Sequence, residues 1–187
     1  MVLHILDIIE GTSVDGPGLR TAIYIAGCHH QCPGCHNPDS WDFHKGQSMS
    51  LNKLVEIIKE NDFNVTLTGG DPLYHPIETS ALCQRIKSEL NKTIWCYTGF
   101  TWEEITRDKN LQTILPWVDV IVDGPFISSQ KDTGLRFRGS TNQRIIDVHA
   151  SLAAGHIEEC IEFYQLPPSS CFPIVWKKNP YDHHQND

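Results

Sequence analysis

The chain has 187 residues, a length that suits one domain, and its 40% hydrophobic content is enough to fill a core of that size. Charged residues make up 20%, which excludes a disordered composition, and the net charge of −8 is opposite in sign to that of a general nucleic-acid binder. No run approaches the ~18 consecutive apolar residues of a membrane span, and Met1 to Leu6 lacks the basic leader and long apolar stretch of a secretory signal.

Val2 to Ile9 is apolar with polar interruptions and predicts a strand. Gly11 to Gly18 is a turn-rich loop, and Thr21 to Ala26 (TAIYIA) predicts a buried strand running into Gly27 and a cysteine-rich loop. Trp41 to Gln47 reads as irregular chain. Ser50 can cap a helix over Leu51 to Glu60, where Leu51, Leu54, Val55 and Ile58 fall on one face. Strands are expected over Asn64 to Thr68, Thr93 to Tyr97 and Trp117 to Val122, with a helix from Ile77 to Leu90. Thr101 opens a short helix with Glu104 three residues on, a capping-box pattern. Arg144 to Val148 can form a further strand, and Ser151 to Phe163 a helix with Gly155 as its weak point. Leu166 to Asp187 has no periodicity and reads as an extension.

Strands alternating with helices predict βαβ units and a parallel sheet, hence an α/β fold. In such sheets the site lies at the carboxyl ends of the strands. The cysteine loop, Gly69-Gly70-Asp71-Pro72 and Asp123-Gly124-Pro125 all follow strands, so one composite site is expected there.

The absence of a signal or span predicts a cytoplasmic protein, where thiols stay reduced. Seven cysteines, an odd number, then suggest metal ligands rather than disulfides. Cys28, Cys32 and Cys35 stand in GCHHQCPGCHN with the spacing Cys-x3-Cys-x2-Cys. Three thiolates so close can hold three irons of a cubane cluster, which leaves the fourth iron open to a ligand. Spacing alone also admits zinc, since His29, His30 and His36 lie beside the cysteines, and it admits simple burial. Cys83, Cys96, Cys160 and Cys171 show no ligand pairing and read as structural.

The other loops are individually weaker signals. Gly69 and Gly70 allow close backbone approach to a ligand, but an ordinary strand-to-helix turn has the same composition. Asp123 can meet a ribose hydroxyl or cap a turn; Tyr97-Thr98-Gly99 has the same status. Asp15 to Arg20 is either a positioning loop or a tight turn. Arg136, Arg138 and Arg144 form a local basic group that can meet an acidic partner or stay solvated.

Taken in order, SVDGPGLR (Ser13 to Arg20), GCHHQCPGC (Gly27 to Cys35), TGGDPL (Thr68 to Leu73), YTGFTWEE (Tyr97 to Glu104), VDGPF (Val122 to Phe126) and LRFRGSTNQRIIDV (Leu135 to Val148) resemble the radical S-adenosylmethionine (SAM) enzymes. Within them the chain resembles the activating-protein family of anaerobic ribonucleoside-triphosphate reductases. CPGC and RGSTNQR are its more specific pieces, and Gly34 stands where many radical SAM enzymes carry an aromatic residue.

The resemblance implies a shortened, open (β/α) partial barrel of TIM type. Residues 1–150 would form the radical SAM domain and 151–187 a C-terminal extension. It implies a [4Fe–4S] cluster on Cys28, Cys32 and Cys35, with SAM chelated at the fourth iron. Gly69, Gly70 and Asp71 would lie at the SAM amino group, Gly34, Cys35 and His36 along the cofactor, and Asp123 at the ribose. Reductive cleavage of SAM, with an electron from a flavodoxin-type donor, would generate a radical that takes hydrogen from a glycine of the large reductase subunit. A pyruvate formate-lyase activase, a radical enzyme acting on a small molecule such as 7-carboxy-7-deazaguanine synthase, and a non-catalytic zinc module are the competing readings.

Overall fold

Short β-branched and aliphatic runs build the sheet, and amphipathic helices cover one of its faces. The computed structural model describes residues 1–164. The strands are β1 (Val2–Thr12), β2 (Arg20–Ile25), β3 (Gln47–Ser50), β4 (Asn64–Gly69), β5 (Ile94–Tyr97), β6 (Val120–Asp123) and β7 (Arg144–Asp147). The helices are α1 (Leu51–Asn61), α2 (Pro76–Arg85), which continues in a wider turn to Leu90, α3 (Trp102–Arg107) and α4 (Val148–Ala154). None of these helices is long and apolar enough to cross a membrane.

The strands form one open sheet in the order β3-β1-β2-β4-β5-β6-β7. β2, β4, β5 and β6 are parallel, as the βαβ pattern predicts. The expectation of a wholly parallel sheet is corrected at both ends. β1 runs antiparallel to β2, β3 antiparallel to β1, and β7 antiparallel to β6. β1 and β2 are joined by the short loop 13–19, and a connection of that length suits antiparallel neighbours rather than a crossover.

Residues of alternating parity feed two cores. Ile23, Ile25, Val65, Leu67, Ile94, Cys96 and Ile121 face Leu54, Val55, Ile58, Leu82 and Cys83 of α1 and α2. On the opposite face Trp95, Val122 and Ile145 pack with Tyr97, Phe137, Phe163 and Tyr164. Among the described residues none of α1 to α4 contributes to this second core, and loops pack on it instead.

The loop from β1 to β2 is one such cover. Arg20 is fully buried, with no carboxylate partner among the described residues; its Nε donates to Thr66 Oγ1 (2.7 Å), and its Nη groups donate to the carbonyls of Pro17, Val65 and Thr93. Burial lowers its pKa to about 10. Thr66 Oγ1 in turn donates to the Asp15 carbonyl (2.8 Å), so the SVDGPGLR segment is stapled over the second face.

Two further expectations change. Gln47 to Ser50 form edge strand β3, whereas the irregular chain expected over 41–47 ends at its first residue. The helix expected over 151–163 is instead α4, which begins at Val148 and stops at Gly155, a left-handed residue at φ +74°. The chain then returns along β7. Cys160 N donates to the Ile145 carbonyl (2.8 Å), and Phe163 stacks edge-on against Trp95. Residue 150 lies within α4, and Cys160, Phe163 and Tyr164 pack in the second core. Cys171 and the extension expected over 166–187 lie outside the described residues.

Candidate functional site

Four parallel strands end on the same side, and their exits surround a cleft of about 480 Å³. β2 delivers the cysteine loop, β4 delivers Gly69, Gly70 and Asp71, β5 delivers Thr98 and Gly99, and β6 delivers Gly124 and Phe126. Cys28, Cys32, Cys35 and His36 line the cleft together, with Tyr24, Thr68 and Tyr97 on its sheet side.

The cysteine loop is held from both ends. At its start Gly27 N donates to Ser40 O and Asp71 N donates to Gly27 O. Gly69 and Gly70 are required by this packing: a Cβ on Gly69 would lie 2.5 Å from Ile25 N and O, and one on Gly70 would lie 2.5 Å from Gly27 O. Chain-to-chain approach is thus what these glycines provide. Farther along, Cys35 N donates to Cys32 O (3.0 Å), closing the turn at Pro33 and Gly34.

Asp71 is a buried junction. Its Oδ1 accepts from Leu73 N, and its Oδ2 accepts from Thr98 Oγ1 and Gly99 N, each at 2.9 Å. His30 Nε2 lies 3.0 Å from the same Oδ2, and since a carboxylate only accepts, Nε2 carries the proton. The side chain is therefore fully engaged within the protein, which leaves the backbone of 69–71 as the part able to face a ligand.

Asp123, expected at a ribose, has its carboxylate engaged within the protein. It is 1% exposed, receives a hydrogen bond from Trp102 N (2.7 Å), and is paired with Arg144, which also binds Glu103. The carboxylate is turned into this ion pair, and Gly124 lines the cleft in its place. Arg144 is likewise a structural cation rather than a solvated one, its pKa raised by the hydrogen bonds it donates to both carboxylates.

The RGSTNQR segment folds back on the β6 exit. Gln143 Nε2 donates to Gly124 O (3.0 Å), and Asn142 Nδ2 donates to Pro125 O (2.8 Å). Arg138, Gly139 and Gln143 thereby become part of the cleft wall. Sequence reasoning gave no role in the cleft to Val14, Trp41, Phe126 or Phe137, which also line it. Phe126 and Phe137 do sit within the VDGPF and LRFRGSTNQR motifs, and that was the available signal.

The donor set suits an iron–sulfur group. All three loop cysteines are free thiols on one cleft. Burial, reinforced by Asp71, pushes Cys28 up to about 11 despite amide hydrogen bonds from His30 and Gln31. The neighbouring histidines have other partners. His29 stacks on Phe43 (4.5 Å between centroids), His30 sits on Asp71 and Phe100, and His36 stacks on Phe126. Among the described residues no group of three His, Cys, Asp or Glu side chains is placed to hold a metal ion. Cys83 and Cys96 are fully buried and desolvation raises their pKa values, as expected of inert core thiols.

Comparison with known proteins agrees with this donor set. The family model of a 4Fe-4S single cluster domain matches residues 14–146. The anaerobic ribonucleoside-triphosphate reductase-activating protein of Vibrio cholerae is 43% identical over 142 residues, covering 71% of this chain and 90% of its own. The chain belongs to this activating-protein family. The Haemophilus influenzae relative of the same name is 38% identical, with 71% and 90% covered. QueE from Escherichia coli, a solved structure, is similar at a TM-score of 0.45 and 18% identity over 54% of each chain. The activating-protein family therefore has, in this member, an iron–sulfur domain built on an open mixed α/β sheet.

Proposed function

We propose that this activating protein is a radical SAM oxidoreductase that installs a glycyl radical on an anaerobic ribonucleoside-triphosphate reductase. The observation that carries the reading is the meeting of Cys28, Cys32 and Cys35 in one cleft at the parallel strand ends. When bound, a reduced [4Fe–4S] cluster would supply the electron that cleaves SAM to methionine and the 5′-deoxyadenosyl radical that takes hydrogen from the target glycine.

The chain's own residues provide geometry and shielding. Cys28, Cys32 and Cys35 would hold three irons, leaving one for SAM. The backbone of Gly69, Gly70 and Asp71 would face the SAM amino group, with the Asp71 carboxylate holding that backbone against the cysteine loop. Gly34 and His36 would flank the bound cofactor. Residues 1–150 supply the radical SAM domain, read as an open partial barrel, and 151–187 its C-terminal extension. The target chain of the reductase would enter the cleft beside Tyr24, Thr68 and Tyr97, which line it on the second face of the sheet. A flavodoxin-type donor in the cytosol would deliver the electron.

The test is low-temperature EPR of the anaerobically reconstituted, reduced protein with and without SAM. A [4Fe–4S]⁺ signal that changes on adding SAM is the expected result. No cluster signal, with stoichiometric zinc in the purified protein, would refute the reading.

A further inference from the structure

Of the arginines in LRFRGSTNQR, Arg144 is turned inward onto Asp123 and Glu103. Arg136 and Arg138 are not neutralised in this way. Both are half-buried, and neither meets a carboxylate among the described residues. Each lies instead on an aromatic ring. The guanidinium carbon of Arg138 is 3.9 Å from the Tyr164 ring centroid, and that of Arg136 is 5.1 Å from the Phe137 centroid. Arg138 Nη1 donates to Gln143 O (2.8 Å), while Nε is buried without a partner. The remaining N–H groups of Arg138 make no hydrogen bond among the described residues.

The rings beneath these cations are fixed. The Tyr164 hydroxyl accepts from Ile145 N (3.0 Å) and donates to Glu159. Phe137 packs edge-on against Trp95 and Phe163, with centroids 5.4 and 5.7 Å away. Its backbone has φ +56°, a left-handed conformation that a bulky side chain seldom adopts. Strain of this kind persists only where surrounding contacts hold it, and it gathers at functional sites. Gln143 secures the far side, its Oε1 accepting from Gly139 N (2.8 Å) and Ser140 N (3.2 Å). The second core and this brace therefore set where both arginines stand.

Arg138 lines the cleft, on the same wall as Leu135 and Phe137. We infer that Arg136 and Arg138 dock an acidic stretch of the target chain beside the cleft. The inference rests on the proposed function, in which a protein chain brings its glycine to that cleft. A carboxylate would satisfy the unused donors of Arg138 and would meet two cations already partly desolvated by their rings. The net charge of −8 sharpens the selection. That charge repels an acidic segment in general and leaves it attracted only where cations stand without acids, which fixes the register of the incoming chain.

Surface plasmon resonance tests this, with the reductase large subunit binding to the anaerobically reconstituted protein. Arg136→Gln combined with Arg138→Gln should weaken binding roughly tenfold at about 50 mM salt. The loss should shrink to less than about threefold at about 300 mM, because salt screens the charges. Arg136→Lys combined with Arg138→Lys keeps both charges and should bind within about threefold of wild type. Lys59 and Lys109, both exposed and outside the cleft, provide the control for net charge. Their double Gln variant should bind as wild type does. The inference is overturned if the arginine double Gln variant binds as tightly as wild type. It is equally overturned if the control pair loses as much, or if the double Lys variant loses as much as the double Gln. Equilibrium dialysis with SAM distinguishes the other source of a carboxylate: an Arg138→Gln protein that loses SAM but keeps its reductase affinity assigns the cation to the cofactor and sinks the inference. Absence of wild-type binding refutes the target itself, and the inference with it. EPR separates the two levels. A wild-type cluster signal indifferent to SAM refutes the proposed function, while an intact SAM response with reductase binding independent of both arginines refutes the docking pair alone.

Discussion

His30 Nε2 and Asp71 Oδ2, 3.0 Å apart, tie the cysteine loop to the exit of β4. The same oxygen accepts from Thr98 Oγ1 and Gly99 N at the exit of β5, so three strand ends meet at one buried carboxylate. Gly99 belongs to the junction because a Cβ there would lie 2.5 Å from the His30 ring. Placement of the cluster loop is thus coupled to the sheet through an acceptor, and the cysteines need no contact with Asp71 to depend on it.

Asp71→Asn puts an amide NH2 where only acceptors serve. Whichever way the amide turns, one buried donor faces another, at a cost of about 1–3 kcal/mol. Urea unfolding of the anaerobic protein should show that loss. Thr98→Val removes only one of the four donors and should cost less. An Asp71→Asn protein as stable as wild type would mean that the four donors do not depend on the carboxylate.

Iron and sulfide content after reconstitution should divide the cysteines into two groups. Cys28→Ala, Cys32→Ala and Cys35→Ala should each abolish a SAM-responsive cluster. Cys83→Ala, Cys96→Ala and Cys160→Ala should retain it, since all three are buried away from the cleft. For Cys83 and Cys96 the loss is a small cavity in the helix-side core, about 1 kcal/mol. A cluster that survives Cys32→Ala would overturn the ligand assignment.

Much of this arrangement was legible in the chain because the strongest signals are local. Apolar residues at helical spacing marked α1, Thr101 and Glu104 form the expected capping box, and three cysteines in eight residues marked the loop. Edge strand β3 was not legible: its four residues, QSMS, are polar and mostly exposed, and only pairing with β1 makes them a strand. The directions of the Asp71 and Asp123 carboxylates were equally hidden. Asp71 follows β4 and Asp123 ends β6, yet apart from Leu73 N their partners lie 21 to 41 residues away in sequence. Arg144 looked like one of three surface cations because Glu103 and Asp123 reach it only through the sheet order.

The Arg144 cluster predicts a specific acid response. Hydrogen bonds from Arg144 lower Glu103 from 4.5 to about 2. A carboxylate with a depressed folded pKa contributes stability above its unfolded pKa and loses it as pH falls through the folded value. Glu103 should therefore withdraw its contribution between about pH 4.5 and pH 2. It is half exposed, so screening limits that contribution to under about 1 kcal/mol. Unfolding free energy against pH should fall less steeply in Glu103→Gln than in wild type across this window; parallel curves would refute the assignment. Arg144→Gln is the harsher change, because it strands the buried Asp123, and should cost about 3–5 kcal/mol at neutral pH.

Gly69 and Gly18 provide a paired test of why glycine is needed at the β4 exit. Both have positive φ, +108° and +71°. A Cβ on Gly18 meets nothing within 4 Å, so Gly18→Ala carries only backbone strain, about 1–2 kcal/mol. A Cβ on Gly69 would meet backbone N and O of Ile25 at 2.5 Å, atoms fixed by the parallel pairing of β2 and β4. Relief requires the two strands to part just where the cysteine loop begins. Gly69→Ala should therefore be destabilised well beyond Gly18→Ala, by more than about 2 kcal/mol further, and should hold less iron after reconstitution while Gly18→Ala holds the wild-type amount. Chemical denaturation midpoints and iron content measure both effects. Equal midpoints for the two variants would show that strain at the glycine, rather than contact with Ile25, sets the requirement.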